Sequence, residues 1–180
     1  FTYFHSTTML LIKRANRYFP VIEPILKANG IPDDFKYLAV IESHLDPRVS
    51  SPARAVGMWQ FLEGTGKQYG LTVTPTVDER CHVAKATEAA CKYLKAAYDK
   101  YGDWANVAAS YNAGMGRISG ELRKQAVTSI VSWRSNRYLR TRINMVSYSG
   151  RKTCTSRLPA KMWLSRQIFP ICLLLHRSMI

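Results

Sequence analysis

The sequence lacks the features that would mark a membrane-spanning protein. No stretch approaches the roughly 18 apolar residues that a membrane helix requires. The most apolar stretch, residues 168–175, is short and contains Pro170. No charged segment leads into a long apolar one after Phe1, so we expect any export signal to lie outside these residues.

Metal-binding and disulfide patterns are also missing. The four cysteines, Cys81, Cys91, Cys154 and Cys172, show no CxxC spacing, and no paired histidines accompany them. This pattern indicates neither a zinc site nor a disulfide framework, and we expect no metal and no cofactor. Cys91 falls on the apolar face of a predicted helix, where a buried free thiol is the simplest interpretation.

Acidic residues are scarce in the last third of the chain. The net charge of +14 would ordinarily suggest an anionic partner. Residues 121–180, however, contain 12 of the 26 Lys and Arg residues, with Glu121 as their single acidic residue. The charge is a property of this tail, so we expect no nucleic-acid partner.

The first 120 residues read as short helices separated by Gly and Pro. An apolar stripe after Pro20 predicts one helix that stops at Gly30. A second helix is predicted to begin at Pro32 and to end at Asp46, which precedes a proline. This pattern predicts a mainly helical domain.

The remaining helices are separated from these two by a long connection. Residues 46–82 are rich in Pro, Gly, Ser and Thr and read as loop with one buried piece, residues 56–62. An amphipathic helix follows at 83–102. Asp103 is then predicted to cap a last helix that stops at Gly114.

Glu42 is the first candidate for chemistry. It lies four residues after Leu38 and three before Leu45, which puts its carboxylate on or beside an apolar helix face. Desolvation there would raise its pKa, and a protonated carboxyl at neutral pH is what cleavage of a glycosidic bond requires. The alternative is an ordinary glutamate at the edge of the stripe, paired or solvated.

A second carboxylate is expected in most glycosidases. Asp46, one helical turn after Glu42, is the obvious candidate. It precedes Pro47, however, and Asp-Pro is a common turn pairing, so we interpret Asp46 as a helix-ending residue. Without a second carboxylate, the substrate itself must supply the nucleophile.

Three motifs occur in a fixed order along the chain. They are Glu42-Ser43, Ser51-Pro52-Ala53 leading into Ala55-Val56-Gly57-Met58-Trp59-Gln60-Phe61, and Tyr111-Asn112-Ala113-Gly114. Together they resemble the catalytic domain of the soluble lytic transglycosylase (SLT) type. The residues that fill the intervals between them, 65–71, 77–80 and 101–104, resemble those of the branch of membrane-bound murein transglycosylase D. The resemblance covers about residues 18–120 and implies a lysozyme-like helical fold.

The resemblance also implies an activity and a place of action. Such domains cleave peptidoglycan between N-acetylmuramic acid and N-acetylglucosamine and leave a 1,6-anhydromuramoyl end. Glu42 would be the single catalytic acid and base, and glycan strands would be the partner. We expect a bacterial protein of the periplasm or cell envelope, with membrane contact only through an N-terminal anchor outside these residues.

Five further residues are implied to bind substrate: Ser43, Gly57, Gln60, Tyr111 and Asn112. Gln60 offers an amide that can donate and accept hydrogen bonds. Tyr111 and Asn112 would line the saccharide cleft, while Gly57 lets the backbone turn tightly. Ser43 either orients the glutamate or faces solvent. Met58 and Trp59 are cleft wall or core, and we favour core for Met58.

The chain departs from the family after about residue 120. We divide it into an upstream helical segment (1–17), a catalytic domain (18–120) and a basic tail (121–180). The family's Tyr-Val-Pro element is missing, and Tyr138 and Tyr148 lack its context. A shifted reading frame would explain the tail's composition, and the alternative is a genuine basic extension. The rivals to a lytic transglycosylase are a hydrolytic lysozyme and an inactive or wall-binding remnant.

Overall fold

The computed structural model describes residues 2–114 and 119–135, except for the side chains of residues 2–7, 112, 113 and 135. Most of these residues are helical. The helices are α1 (Thr2–Ala28), α2 (Lys36–Ser43), α3 (Glu63–Gln68), α4 (Val83–Tyr101), α5 (Trp104–Ala113) and α6 (Gly120–Ser135), with 3-10 turns at Asp33–Phe35 and Glu79–Cys81. In these ranges β-pairing is limited to isolated bridges. The predicted mainly helical fold class is confirmed.

Helix α4 lies between α1 and α5 and packs on both. Its buried face consists mostly of small side chains: Ala86, Ala89, Ala90, Cys91 and Ala97. Small side chains let neighbouring helices approach closely. Cys91 is a buried free thiol, as predicted. Gly102, at φ +63, ends the helix where the sequence placed its end.

Helix α1 is longer than the sequence suggested. We expected a helix to begin after Pro20, but one helix runs through both Pro20 and Pro24. Both prolines are exposed, so the carbonyl groups that lose an N–H partner lie on the solvent side. An unbroken buried stripe holds the helix in place: Leu11, Ile12, Ala15, Phe19, Ile22 and Leu26.

Helix α2 ends at Ser43 instead of at Asp46. His44 and Leu45 both adopt the left-handed conformation, at φ 52 and φ 58. The His44 N–H donates to the Val40 carbonyl at 2.9 Å, and the Leu45 N–H donates to the Ala39 carbonyl at 3.3 Å. These two bonds close the helix end, which explains why the chain turns before the proline.

Helix α6 continues the packed region past the boundary that we drew near residue 120. It packs on α5 and α2. Its inner face has helical spacing: Leu122, Ala126, Ser129, Ile130 and Trp133. The many basic residues around this stripe hid it in the sequence.

Two ion pairs fasten α6 to the rest of the fold. Arg123 pairs with Asp103, and Arg134 pairs with Asp34, each at 2.9 Å. Asp103 also caps α5 as predicted, accepting from a backbone N–H two residues on. Residues 136–180, which include Tyr138 and Tyr148, lie outside the described residues. The hypothesis of a shifted reading frame therefore stays a prediction.

Candidate active site

Glu42 lies in the last turn of α2, with its side chain half-buried. Burial raises the pKa of its carboxyl from 4.5 to about 7. Burial is the only cause of this shift, because no ion pair or hydrogen bond in the described ranges contributes. The carboxyl is therefore about half protonated at neutral pH, as expected from the apolar stripe, and can both donate and accept a proton there.

The segment from Ser50 to Phe61, here called the Gly57 segment, folds back on itself beside α2. Antiparallel bridges join Ser50 to Val56 and Val56 to Phe61. Gly57 lies between them at φ +86, and a Cβ at this position would be 2.1 Å from the backbone oxygen of Arg80. Glycine is therefore required both by the backbone conformation and by the close approach of a neighbouring chain segment.

Ser43 connects the catalytic helix to the Gly57 segment. Its buried hydroxyl lies 3.0 Å from the Ala39 carbonyl oxygen and 2.9 Å from the Met58 carbonyl oxygen, to which it donates. The side chain does not face solvent, which removes one of our two interpretations. Its bonds favour support of the site over direct contact with a substrate.

Tyr111, in α5, brings an aromatic ring to the same region. Its hydroxyl donates to the Trp59 carbonyl oxygen at 2.8 Å, and its ring packs edge-on against Tyr93 at 5.2 Å between centroids. Burial raises the pKa of Tyr111 well above 10, and the nearby charge of Glu42 raises it further. Tyr111 is therefore a neutral phenol within electrostatic reach of the glutamate.

Gln60 is half-buried and held by its own turn. Its side-chain nitrogen donates to the Gly57 carbonyl at 2.8 Å and to the Val49 carbonyl at 3.2 Å. Both acceptors are carbonyl oxygens, so the orientation of the amide is fixed, and within the described part of the chain its oxygen has no donor. Asn112 follows Tyr111 on α5, but its side chain is outside the described part of the structure.

Trp59 belongs to the core. It is fully buried, as is Met58, which we had assigned to the core. The indole N–H donates to the Thr87 hydroxyl of α4 at 3.0 Å, and the Thr87 hydroxyl donates in turn to the Val83 carbonyl at 2.7 Å. The sequence offered no sign of this pairing, because the two residues are 28 positions apart.

Arg80 is a second residue that sequence reasoning missed. It is buried, pairs with Asp78 at 2.7 Å and donates to the Phe61 carbonyl at 3.1 Å. It thereby ties the second 3-10 turn to the Gly57 segment. No local pattern identifies such an arginine, since this acceptor is a backbone oxygen 19 residues away.

Asp46, the candidate second carboxylate, is already paired. Its Oδ2 lies 2.5 Å from a guanidinium nitrogen of Arg14, in α1, and its Oδ1 accepts from the Arg48 backbone N–H at 3.0 Å. We had interpreted Asp46 as a helix-ending residue, but α2 has already ended at Ser43, and both Asp46 oxygens stabilise the turn that follows.

No group of three His, Cys, Asp or Glu side chains comes together in the described ranges as ligands for a metal ion. No helix in the same ranges is long and apolar enough to cross a membrane.

Comparison with known proteins gives consistent relatives. Membrane-bound lytic murein transglycosylase D of Escherichia coli K12 is 35% identical over 118 residues, which make up 65% of this chain and 25% of that protein. Peptidoglycan transglycosylase gp16 of Escherichia phage T7 is 35% identical over 104 residues, or 56% of this chain and 8% of that protein. Membrane-bound lytic murein transglycosylase F of Klebsiella pneumoniae is 29% identical over 99 residues, covering 53% of this chain and 18% of that protein.

This chain therefore spans a quarter or less of the length of each of these relatives. A family profile described as Transglycosylase SLT domain matches residues 19–133, which include nearly all of α6. Because that match covers more than half of the 180 residues, the chain belongs to the SLT transglycosylase family.

Proposed function

We propose that this chain is a peptidoglycan lytic transglycosylase that cleaves the β-1,4 bond between N-acetylmuramic acid and N-acetylglucosamine and forms a 1,6-anhydromuramoyl end. The observation that carries the proposal is the state of the two neighbouring carboxyl groups. Glu42 is half-buried with a pKa raised to about 7, whereas Asp46 is held in an ion pair by Arg14. One free acid and base favours a reaction in which the sugar supplies the nucleophile.

The proposed reaction uses Glu42 twice. The protonated carboxyl first gives its proton to the leaving glycosidic oxygen as the anomeric C–O bond breaks. The resulting carboxylate then takes the proton of the C6 hydroxyl, whose oxygen bonds to the anomeric carbon. Glu42 is deprotonated after the first step and protonated again after the second, so the catalytic cycle is complete without added water.

The surrounding residues have supporting roles in this proposal. The Gln60 side-chain oxygen, which has no donor among the described residues, would accept from a sugar hydroxyl, and Tyr111 and Asn112 are consecutive residues of α5. Ser43 and Gly57 act indirectly, by holding α2 and the Gly57 segment together. We propose no cofactor.

The proposed functional unit begins in α1 and ends with α6, because α1 packs on α2, which carries Glu42, and α6 packs on both α2 and α5. Its partner is the glycan strand of peptidoglycan, in the periplasm or cell envelope. Two of the relatives are named as a murein transglycosylase and a peptidoglycan transglycosylase, and these names support this choice of substrate and location.

Digestion of purified peptidoglycan, with mass analysis of the products, tests the proposal. We expect muropeptides that are lighter by one water than those a lysozyme would release. Hydrated reducing ends would instead identify a hydrolytic lysozyme. Binding to peptidoglycan without any product would identify an inactive or wall-binding remnant.

Asp46→Asn is expected to leave most of the digestion rate, within about threefold of wild type. The single amide oxygen of asparagine accepts from only one of the two donors, Arg14 or the Arg48 N–H, but Arg14 keeps its bond to the His44 carbonyl oxygen, and the anhydro reaction needs no second carboxylate. The rate of release of soluble muropeptides measures this. A loss as severe as that of Glu42→Gln would favour a two-carboxylate hydrolase.

A further inference from the structure

Arg14 lies in the first half of α1, upstream of residues 19–133, which match the family. One guanidinium nitrogen donates to the His44 carbonyl oxygen at 3.1 Å, and the other donates to Asp46 Oδ2 at 2.5 Å. The fork of a single arginine thus contacts two points of the turn that follows Glu42.

This turn has little intrinsic stability. His44 and Leu45 are successive residues in the left-handed region, at φ 52 and φ 58, where the Cβ of a non-glycine residue crowds the backbone. Such a conformation persists only where the surroundings hold it. The buried Leu45 side chain holds it from inside, and Arg14 holds it from the α1 side.

Glu42 depends on this turn because it is the last residue but one of α2. The end of a helix frays when its final carbonyl groups lose their partners. Fraying at Ser43 and His44 would free the backbone of Glu42 and admit water to its carboxyl. Water is decisive here, because burial is the only cause of the raised pKa of Glu42.

We propose that Arg14 is a positioning residue of the active site, whose bonds to His44 and Asp46 keep the turn closed and hold Glu42 in its half-buried place. The inference rests on the proposed function for its link to catalysis. It also assigns a task in the site to a residue of α1 that precedes the family match.

Two opposing effects decide what loss of Arg14 does to Glu42. Removing a cation would by itself raise the pKa of a nearby carboxyl, whereas added water would lower it. Arg14 is not among the causes of the Glu42 shift, so the effect of water should win. Among the described residues, Tyr111 of α5 interacts electrostatically with Glu42, and His44 in the turn has a pKa lowered by burial and by Arg14.

The test compares Arg14→Met, Arg14→Lys and Lys13→Met, since Lys13 is an exposed cation on the same helix and serves as the matched control. We expect Arg14→Met to lower kcat on purified peptidoglycan about tenfold at pH 7, with KM within about twofold. The alkaline limb of its pH profile should move about one pH unit lower. Arg14→Lys should be intermediate, because an ammonium keeps the pair with Asp46 but cannot also reach His44. Lys13→Met should match wild type.

An unchanged alkaline limb in Arg14→Met and in Arg14→Lys would overturn the inference, even if thermal stability fell, because a merely structural role lowers the amount of folded protein without moving that limb. Arg14→Lys carries the test if Arg14→Met does not fold.

A wild-type protein that releases no anhydro product would show that the proposed function is wrong, whatever the role of Arg14. In that case the Glu42 pKa is read by NMR titration of carboxyl-labelled glutamate, with Glu42→Gln identifying the signal. A lower pKa in the Arg14 variants than in wild type supports the positioning role, and an equal pKa overturns it.

Discussion

Glu42→Gln is expected to lower the rate of peptidoglycan cleavage by at least about a hundredfold. Glutamine keeps the shape of the side chain but can neither give a proton to the leaving oxygen nor take one from the C6 hydroxyl. No other free carboxylate in the described ranges is placed to substitute, since nearby Asp46 is paired with Arg14. Muropeptide release at pH 6 and pH 8 measures the effect.

Wild-type activity should also decline as the pH rises through about 7, the pKa to which burial raises Glu42. Above that pH the carboxyl has lost the proton that the first step needs. A folded Glu42→Gln protein that keeps more than about a tenth of the wild-type rate would contradict the proposed role.

The thermal stability of Glu42→Gln provides an independent test of the raised pKa of Glu42. The folded-state pKa of Glu42 is raised above its unfolded value of 4.5, so deprotonation costs more in the folded state than in the unfolded state. This penalty is absent below pH 4.5, grows between pH 4.5 and 7, and reaches at most about 3 kcal/mol above pH 7. Glu42→Gln should therefore gain stability over wild type from pH 5 to pH 8, as thermal unfolding at both pH values would show.

Gly57→Ala is expected to lower the free energy of unfolding by at least about 3 kcal/mol. The new Cβ would be 2.1 Å from the Arg80 carbonyl oxygen and 2.8 Å from its carbonyl carbon. Arg80 cannot easily move away, because Asp78 accepts from both its backbone N–H and its side chain. The residue must also adopt φ +86 with a side chain in place. Denaturant unfolding gives the difference from wild type.

Gly30→Ala is the matched control for this prediction. Gly30 also has a positive φ, +70, but a Cβ there would meet nothing within 4 Å. Its substitution should cost about 1 kcal/mol, which is the price of the backbone conformation alone. Equal losses in the two variants would mean that the Gly57 segment moves aside and that its contact with Arg80 is not tight.

The helices that the sequence predicted well are those with local end signals. Helix α4 ends at Gly102 and α5 begins after Asp103, because a left-handed glycine and a capping carboxylate act through bonds within a few residues. Helix α1 was misjudged because its two prolines outweighed a buried stripe that continues past them. Helix α6 was hidden by its basic surroundings.

The site shows the same division between local and distant information. The half-buried position of Glu42 could be predicted, because the apolar stripe of α2 is formed by residues close to it in the sequence. Arg14, Thr87 and Arg80 could not, because each contacts a partner that lies 19 to 30 residues away along the chain. Such contacts leave no periodic pattern that a reader of the sequence can detect.

Trp59 has consequences for the folding pathway. It bonds through its indole to Thr87, 28 residues away, and through its carbonyl to Tyr111, 52 residues away. Closing loops of that length costs entropy before either bond forms, so both contacts belong to the late stages of folding. A nascent or partly folded chain that has formed its helices but not docked them would lack both contacts that hold Trp59 in the core. We therefore expect the surroundings of Glu42 to be complete only in the native state.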